Sequence, residues 1–85
     1  MTAFDYSALP EHIRNGARAY VENHRVPGGF LISLFQNDLV STVGKADEEN
    51  LPRLREIVQW LYNEPPSICW GSREKVRRWL AGKEE

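Results

Sequence analysis

Side chains able to act as a nucleophile or a base are few in this chain of 85 residues, which holds one cysteine and two histidines. A thiolate becomes a nucleophile when a neighbouring base or cation lowers its pKa, so Cys69 beside Trp70 is the first candidate. His12 and His24 both fall in the first predicted helix; His12 lies away from its apolar face, and His24 could approach Cys69, although spacing in the sequence does not show it. Because a free cysteine is more commonly a small buried residue, we predict no catalytic residue and no enzymatic activity.

Metal and anion binding have weaker support in the sequence. One cysteine, two histidines and scattered carboxylates match neither a tetrahedral zinc spacing nor a calcium loop. Gly28 and Gly29 precede a predicted helix and could receive an anion, but the longer glycine fingerprint and a neighbouring lysine are missing. We interpret the two glycines as a structural turn and expect no metal and no cofactor.

The last predicted helix carries four basic residues, Arg73, Lys75, Arg77 and Arg78, against Glu74 alone. Such a helix could approach nucleic-acid phosphates in a helix-turn-helix arrangement. A mixed charged face is more often simply solvated, and a formal net charge of -1 gives no global attraction to nucleic acid. A small DNA-binding regulator that uses this helix is therefore the alternative function.

Aromatic and apolar side chains are more numerous than one small core needs, the surplus being Tyr6, Trp60, Tyr62, Ile68 and Trp70. The simplest interpretation keeps all of them in the core. A protein interface, however, needs only an exposed aromatic anchor, a few arginines and a rigid surface. We predict a partner-binding surface made of Trp60, Tyr62, Trp70, Arg73, Arg77 and Arg78. Self-association could also cover such a surplus, which leaves a homo-oligomer open.

Composition and length limit the class of protein. A chain of 85 residues forms one domain and buries only about 60 to 65 per cent of its unfolded surface, so its core must contain large side chains. One cysteine forms no internal disulfide, which fits a reducing compartment. No apolar run is long enough to span a membrane, and the first residues lack a signal-peptide pattern. We therefore expect a cytoplasmic protein that does not bind membranes.

An amphipathic helix over residues 50–62 is the element on which the other segments are expected to pack. Its apolar residues recur at the three-and-four spacing of one helical face: Leu51, Leu54, Ile57, Val58 and Leu61. Pro65 and Pro66 end this helix, because proline lacks the N–H that continues it. The connector that follows leads to a last helix from Ser72, its N-cap, to Ala81.

Three further helices are predicted before it, over residues 10–24, 29–37 and 39–43. The apolar run 30–35 fits a buried strand or a buried helix by pattern alone, and we favour the helix because a strand would have no partner. Leu39, Val40 and Val43 are expected to give the third helix its inward side. Gly16 is expected to mark a close crossing with another backbone.

These elements predict an all-α fold with four to five short helices around the central one. The single domain covers residues 1–85, with residues 1–8 as a flexible leader and residues 82–85 as a frayed end. Phe4 and Tyr6 in the leader could either dock on the domain or contact a partner.

A combination of short motifs resembles small proteins encoded in tailed-phage and prophage genomes. It consists of Pro27-Gly28-Gly29-Phe30-Leu31, Asn37-Asp38-Leu39, Val43-Gly44-Lys45-Ala46-Asp47, Tyr62-Asn63-Glu64, Cys69-Trp70-Gly71-Ser72, Val76 and Trp79. The resemblance covers about residues 10–80, and its motifs are specific in combination and weak singly.

The resemblance implies a virus-borne accessory protein in a bacterial host, and it supplies no catalytic residues. Together with the predicted aromatic surface, it leads to the expectation that the chain binds and inhibits a host protein, with a defence protein as one candidate partner. The partner itself is not indicated by the sequence.

Overall fold

The computed structural model describes residues 4–82, and this part of the chain contains five α-helices and no β-strand. The helices are α1 Glu11–Asn23, α2 Gly29–Phe35, α3 Leu39–Lys45, α4 Leu54–Asn63 and α5 Arg73–Leu80. Two short 3-10 turns, Leu51–Arg53 and Ser67–Cys69, precede α4 and α5. The prediction of a small all-α domain is confirmed.

Side-chain and backbone caps set several helix ends close to where the sequence predicts them. Asp38 caps α3, its carboxylate accepting a hydrogen bond from the Ser41 N–H at 3.2 Å. Ser72 caps α5 in the same way, accepting from the Lys75 N–H at 3.1 Å. At the end of α1, His24 adopts the left-handed conformation with φ 58°, which turns the chain away from the helix axis.

The apolar run after the double glycine forms a helix, as predicted, and α2 is the most completely buried element. Five of its seven residues are buried, namely Phe30, Leu31, Ser33, Leu34 and Phe35. It packs against α1, α3 and α5. Gly16 has a close neighbour, but it is a side chain and not the backbone that the prediction named, since a Cβ there would lie 3.3 Å from Leu31 Cδ1.

Helix α3 shows its apolar residues to solvent, so the prediction of an inward side made of Leu39, Val40 and Val43 is wrong. All three are exposed, and Thr42 is the buried residue of this helix. Thr42 can be buried because its hydroxyl donates a hydrogen bond to the Asp38 carbonyl oxygen at 2.6 Å. A hydroxyl that has a hydrogen-bond partner costs little to bury, so the side of α3 that carries Thr42 can pack on α2.

The stripe predicted for the helix over residues 50–62 is divided between core and surface. Ile57 and Leu61 are buried, whereas Leu51 and Val58 are half exposed, so their predicted place in the core is wrong. Trp60, which does not belong to the predicted stripe, is buried in the core. The buried face of α4 is therefore rotated relative to the prediction.

The N-terminal segment docks on the domain through Tyr6, which is buried. Its hydroxyl donates to the Glu22 carboxylate at 2.9 Å, and Trp60 Nε1 donates to the Asp5 carbonyl oxygen at 2.6 Å. The partner contact considered for Tyr6 is thus replaced by a core contact. Residues 1–3 and 83–85, which belong to the predicted leader and frayed end, lie outside the described residues.

Replacement of Tyr20 by Phe is expected to lower the free energy of unfolding by about 1 to 3 kcal/mol. The Tyr20 hydroxyl donates to the Cys69 carbonyl oxygen at 2.6 Å in the core, and Tyr20→Phe leaves that oxygen without this donor. Urea denaturation in dilute solution measures the change. Tyr62→Phe is the matched control, because Tyr62 is exposed and its replacement should have little effect on stability. Equal stabilities of the two variants would contradict the role of the Tyr20 hydroxyl.

Candidate functional site

A groove of about 160 Å³ lies between α3 and α4. Its walls are mostly apolar, and polar groups stand where α2 meets α3. The lining residues are Leu34, Asn37, Asp38, Leu39, Thr42, Leu54, Val58, Leu61, Tyr62 and Trp70. An apolar groove with a few convergent polar groups is the usual form of a binding site.

Six of the eight large apolar side chains that are exposed in residues 4–82 belong to the same two helices and the turn before α4, and three of these six, Leu39, Val58 and Tyr62, line the groove. The exposed fractions of the six range from 43 to 82 per cent, and they are Leu39, Val40, Val43, Leu51, Val58 and Tyr62. We call the groove and these six residues the α3–α4 face. Single exposed apolar residues are ordinary, but a cluster around an apolar groove is typical of an interaction site.

Two of the six residues predicted for partner binding line this groove, Tyr62 and Trp70. Arg73 stands near its polar end, with Nη2 3.9 Å from the Asp38 carboxylate. Trp60 does not belong to the face, because it is only 3 per cent exposed and its ring packs 5.7 Å from that of Tyr6. The prediction of Trp60 as an exposed anchor is therefore corrected.

Arg77 and Arg78 lie on the exposed side of α5. Both approach the Glu74 carboxylate, at 3.7 and 3.5 Å respectively. Arg73 has its own acidic neighbour in Asp38. These carboxylates reduce the positive potential of the helix, so the basic surface is weaker than the count of arginines indicates.

The sequence prediction missed five residues of the face: Leu39, Val40, Val43, Leu51 and Val58. It assigned all of them to the core on periodicity. One signal was present in α3, where Thr42 can satisfy its hydroxyl on the carbonyl four residues earlier and so compete for the buried side. Periodicity alone gives no means of choosing between these two faces.

Two buried polar atoms near the face have no hydrogen-bond partner within the described part of the chain, Asn50 Oδ1 and Trp70 Nε1. Trp70 forms part of the groove wall, and Asn50 directly precedes the turn that carries Leu51. A buried polar group without a partner costs about 1 to 3 kcal/mol. Each of these two atoms is thus a local cost to the isolated domain in this region.

Cys69 is buried in the core and lies on the 3-10 turn before α5. Burial raises the pKa of the thiol to about 12, so the protonated form predominates near neutral pH. The histidines contact other groups: His12 Nε2 lies 2.9 Å from Asp47 Oδ2 and His12 Nδ1 lies 3.3 Å from Glu49 Oε1, while His24 Nδ1 lies 2.6 Å from the Trp79 carbonyl oxygen. The geometry assigns Cys69 a packing role.

Residues 4–82 contain no group of three or more His, Cys, Asp or Glu side chains that could hold a metal ion. No helix in the same range has the length and apolar character required to cross a membrane.

Alkaline pH is expected to destabilise the fold, and Cys69 accounts for the first part of the loss. Its folded-state pKa of about 12 exceeds the ordinary value of 9.0, so the unfolded chain releases its proton first as the pH rises. Stability is complete below about pH 9 and falls as the pH rises towards 12. Burial also raises the pKa of Tyr6 and Tyr20, which extends the effect to higher pH.

Urea denaturation at pH values between about 7 and 10.5 measures this dependence. Cys69→Ala is the control, and its stability should fall less between about pH 9 and 10 than that of the parent chain. Identical slopes would contradict the buried-thiol assignment.

Comparison of the chain with protein-family models, curated proteins and solved structures gives no match.

Proposed function

We propose that this chain is a non-enzymatic protein that binds a host protein through the α3–α4 face and so blocks a surface of that partner. The observation that carries the proposal is an apolar groove that has three exposed apolar side chains in its lining and three more on the same two helices and the turn before α4. Exposed apolar area of this kind gains free energy when a partner removes it from water. A binding role needs no converging reactive groups.

The shape of the face supports recognition of an apolar segment, such as one side of an amphipathic helix. The groove between the two helices has room for one large side chain of such a helix, and the apolar side chains three or four residues away from it would contact the exposed apolar residues of the face. Tyr62 and Trp70 provide aromatic contacts at its wall, and Arg73 provides a charged group at its rim. Aromatic residues and arginine are the types that most often dominate binding energy.

The biological setting rests on the motif resemblance within residues 27–79. That resemblance supports a phage or prophage accessory protein, for which the partner would be a protein of the bacterial cytoplasm. Binding would inhibit the partner by covering one of its working surfaces, and a defence protein is one such candidate.

The DNA-binding alternative has less structural support. Helix α5 has eight residues, which corresponds to about 12 Å, and it buries Val76 and Trp79 on the domain. Its exposed arginines have carboxylate neighbours within 4 Å. Phosphate contacts would make binding fall steeply with salt, whereas binding through the apolar face would not.

Val58→Glu is expected to abolish capture of the host protein, because it introduces a charge at the groove wall. Val58 is 46 per cent exposed, so the variant should fold, which circular dichroism checks. The measurement is retention of a host protein from lysate on the immobilised chain, followed by calorimetry with that purified partner. We expect affinity to fall at least about tenfold, since a desolvated charge in an apolar interface costs more than about 1.4 kcal/mol.

Val26→Glu is the matched control, because Val26 is an exposed valine in the loop before Pro27 and does not line the groove. It should retain the partner, as should Cys69→Ala. Retention that survives Val58→Glu would contradict the proposal. Loss of duplex binding in the triple variant Arg73→Ala, Arg77→Ala, Arg78→Ala would instead establish the DNA-binding alternative.

A further inference from the structure

We infer that a second copy of this chain covers the α3–α4 face when no other partner is bound, in a two-fold homodimer that seats the Tyr62 ring of each copy in the groove of the other. The inference rests on the face used in the proposed function, but it requires no host protein. Four properties of the face support it: the fit of ring to groove, the position of ring beside groove, the exposed apolar area and the distribution of charge.

The groove has the size of one aromatic ring. Its volume is about 160 Å³, and an apolar protein cavity of about 150 Å³ binds benzene. Its chemistry also fits a phenol, since apolar walls from Val58 and Leu61 lead to polar groups of Asn37 and Asp38. Tyrosine is apolar over its ring and polar at its hydroxyl, so it matches both parts.

The chain itself presents such a ring at the edge of the groove. Tyr62 is 77 per cent exposed and is one of the residues that border the groove. A projection and a hollow side by side on one face are self-complementary under a two-fold rotation, because each projection then lies over the other hollow. The contact is reciprocal and closes at two copies.

The exposed apolar area is close to what a stable interface requires. Full burial of a valine or leucine corresponds to about 60 to 120 Å², and of a tyrosine to about 150 to 250 Å². Scaled by their exposed fractions, the six side chains therefore offer roughly 300 to 550 Å². A standard interface buries about 800 Å² per partner, of which about 450 to 520 Å² is apolar. The upper part of this estimate lies within that range, and because area alone does not determine affinity, the dissociation constant has to be measured.

Charge does not oppose pairing of two copies. The six exposed side chains are all uncharged, and the formal net charge of the chain is only -1. Charges of both signs, Asp38 and Arg73, stand near the polar end of the groove. A nearly neutral protein with an uncharged apolar face has little repulsion to hold its copies apart.

Sedimentation of the full chain, from about 1 µM to about 100 µM, tests the inference by measuring the dimer dissociation constant. The parent chain should change from monomer to dimer across this range. Tyr62→Ala and Val58→Glu should remain monomeric at the highest concentration. Tyr62→Phe should still dimerise, with an affinity reduced several-fold by loss of the hydroxyl contact, and Val26→Glu should match the parent. Circular dichroism confirms that each variant is folded.

A parent chain that stays monomeric throughout would overturn the inference, and so would a dimer that survives both Tyr62→Ala and Val58→Glu. Neither result bears on capture of a host protein, which Val58→Glu tests separately in lysate. Conversely, loss of the dimer in these variants together with unchanged host capture would support the dimer and contradict the proposed function. The two hypotheses are thus distinguishable with one set of variants.

Discussion

The fold depends on the burial of Tyr20, which joins four separate segments. Its ring stacks on that of Phe35 at 4.3 Å, so α1 is fixed to α2. Its hydroxyl donates to the Cys69 carbonyl oxygen at 2.6 Å, and its own carbonyl oxygen accepts from Trp79 Nε1 at 2.8 Å. Because these contacts reach the turn before α5 and α5 itself, the C-terminal third of the chain cannot leave α1 without breaking buried hydrogen bonds.

This arrangement also determines what remains outside the core. Phe35 and Trp60 meet edge to face at 6.2 Å, and Trp60 extends the aromatic cluster to Tyr6. Large rings therefore fill the space beside α4 on the side of the N-terminal segment. The opposite side of α4 turns towards α3, where aliphatic side chains, together with Tyr62 and Trp70, line a groove that the core does not close.

Much of the fold follows from the sequence because it is encoded locally. Proline, glycine and short capping side chains determine helix ends, and Asp38 and Ser72 act at the positions where their types predict caps. The apolar run of α2 is helical because an isolated strand has no hydrogen-bond partner. Its burial also follows from the sequence, because a helix that is apolar on nearly all sides is buried, but its packing partners do not follow, because such a run gives no direction of packing.

The binding face is harder to predict, because residues that bind a partner and residues that fill a core share the same chemistry. Tyr62 and Trp70 were identified from an excess of aromatic side chains, but the same argument also selected Trp60, which the core absorbs. Which of the two α4 rings, Trp60 or Tyr62, is buried depends on the rotation of α4 about its axis. The N-terminal segment, which docks through Tyr6 against Trp60, favours the observed rotation. Such a contact links residues more than 50 positions apart, beyond the reach of any local pattern.

The failures of periodicity coincide with the face itself, and this coincidence has a physical reason. Leu39, Val40 and Val58 would suit a core, yet they lie in water, where polar residues would serve the isolated domain equally well or better. The nearby Trp70 Nε1 adds a buried polar group without a partner. A sequence that accepts these local costs on one face, while the Tyr20 hydroxyl in the core has its hydrogen-bond partner, is consistent with a surface suited to being covered.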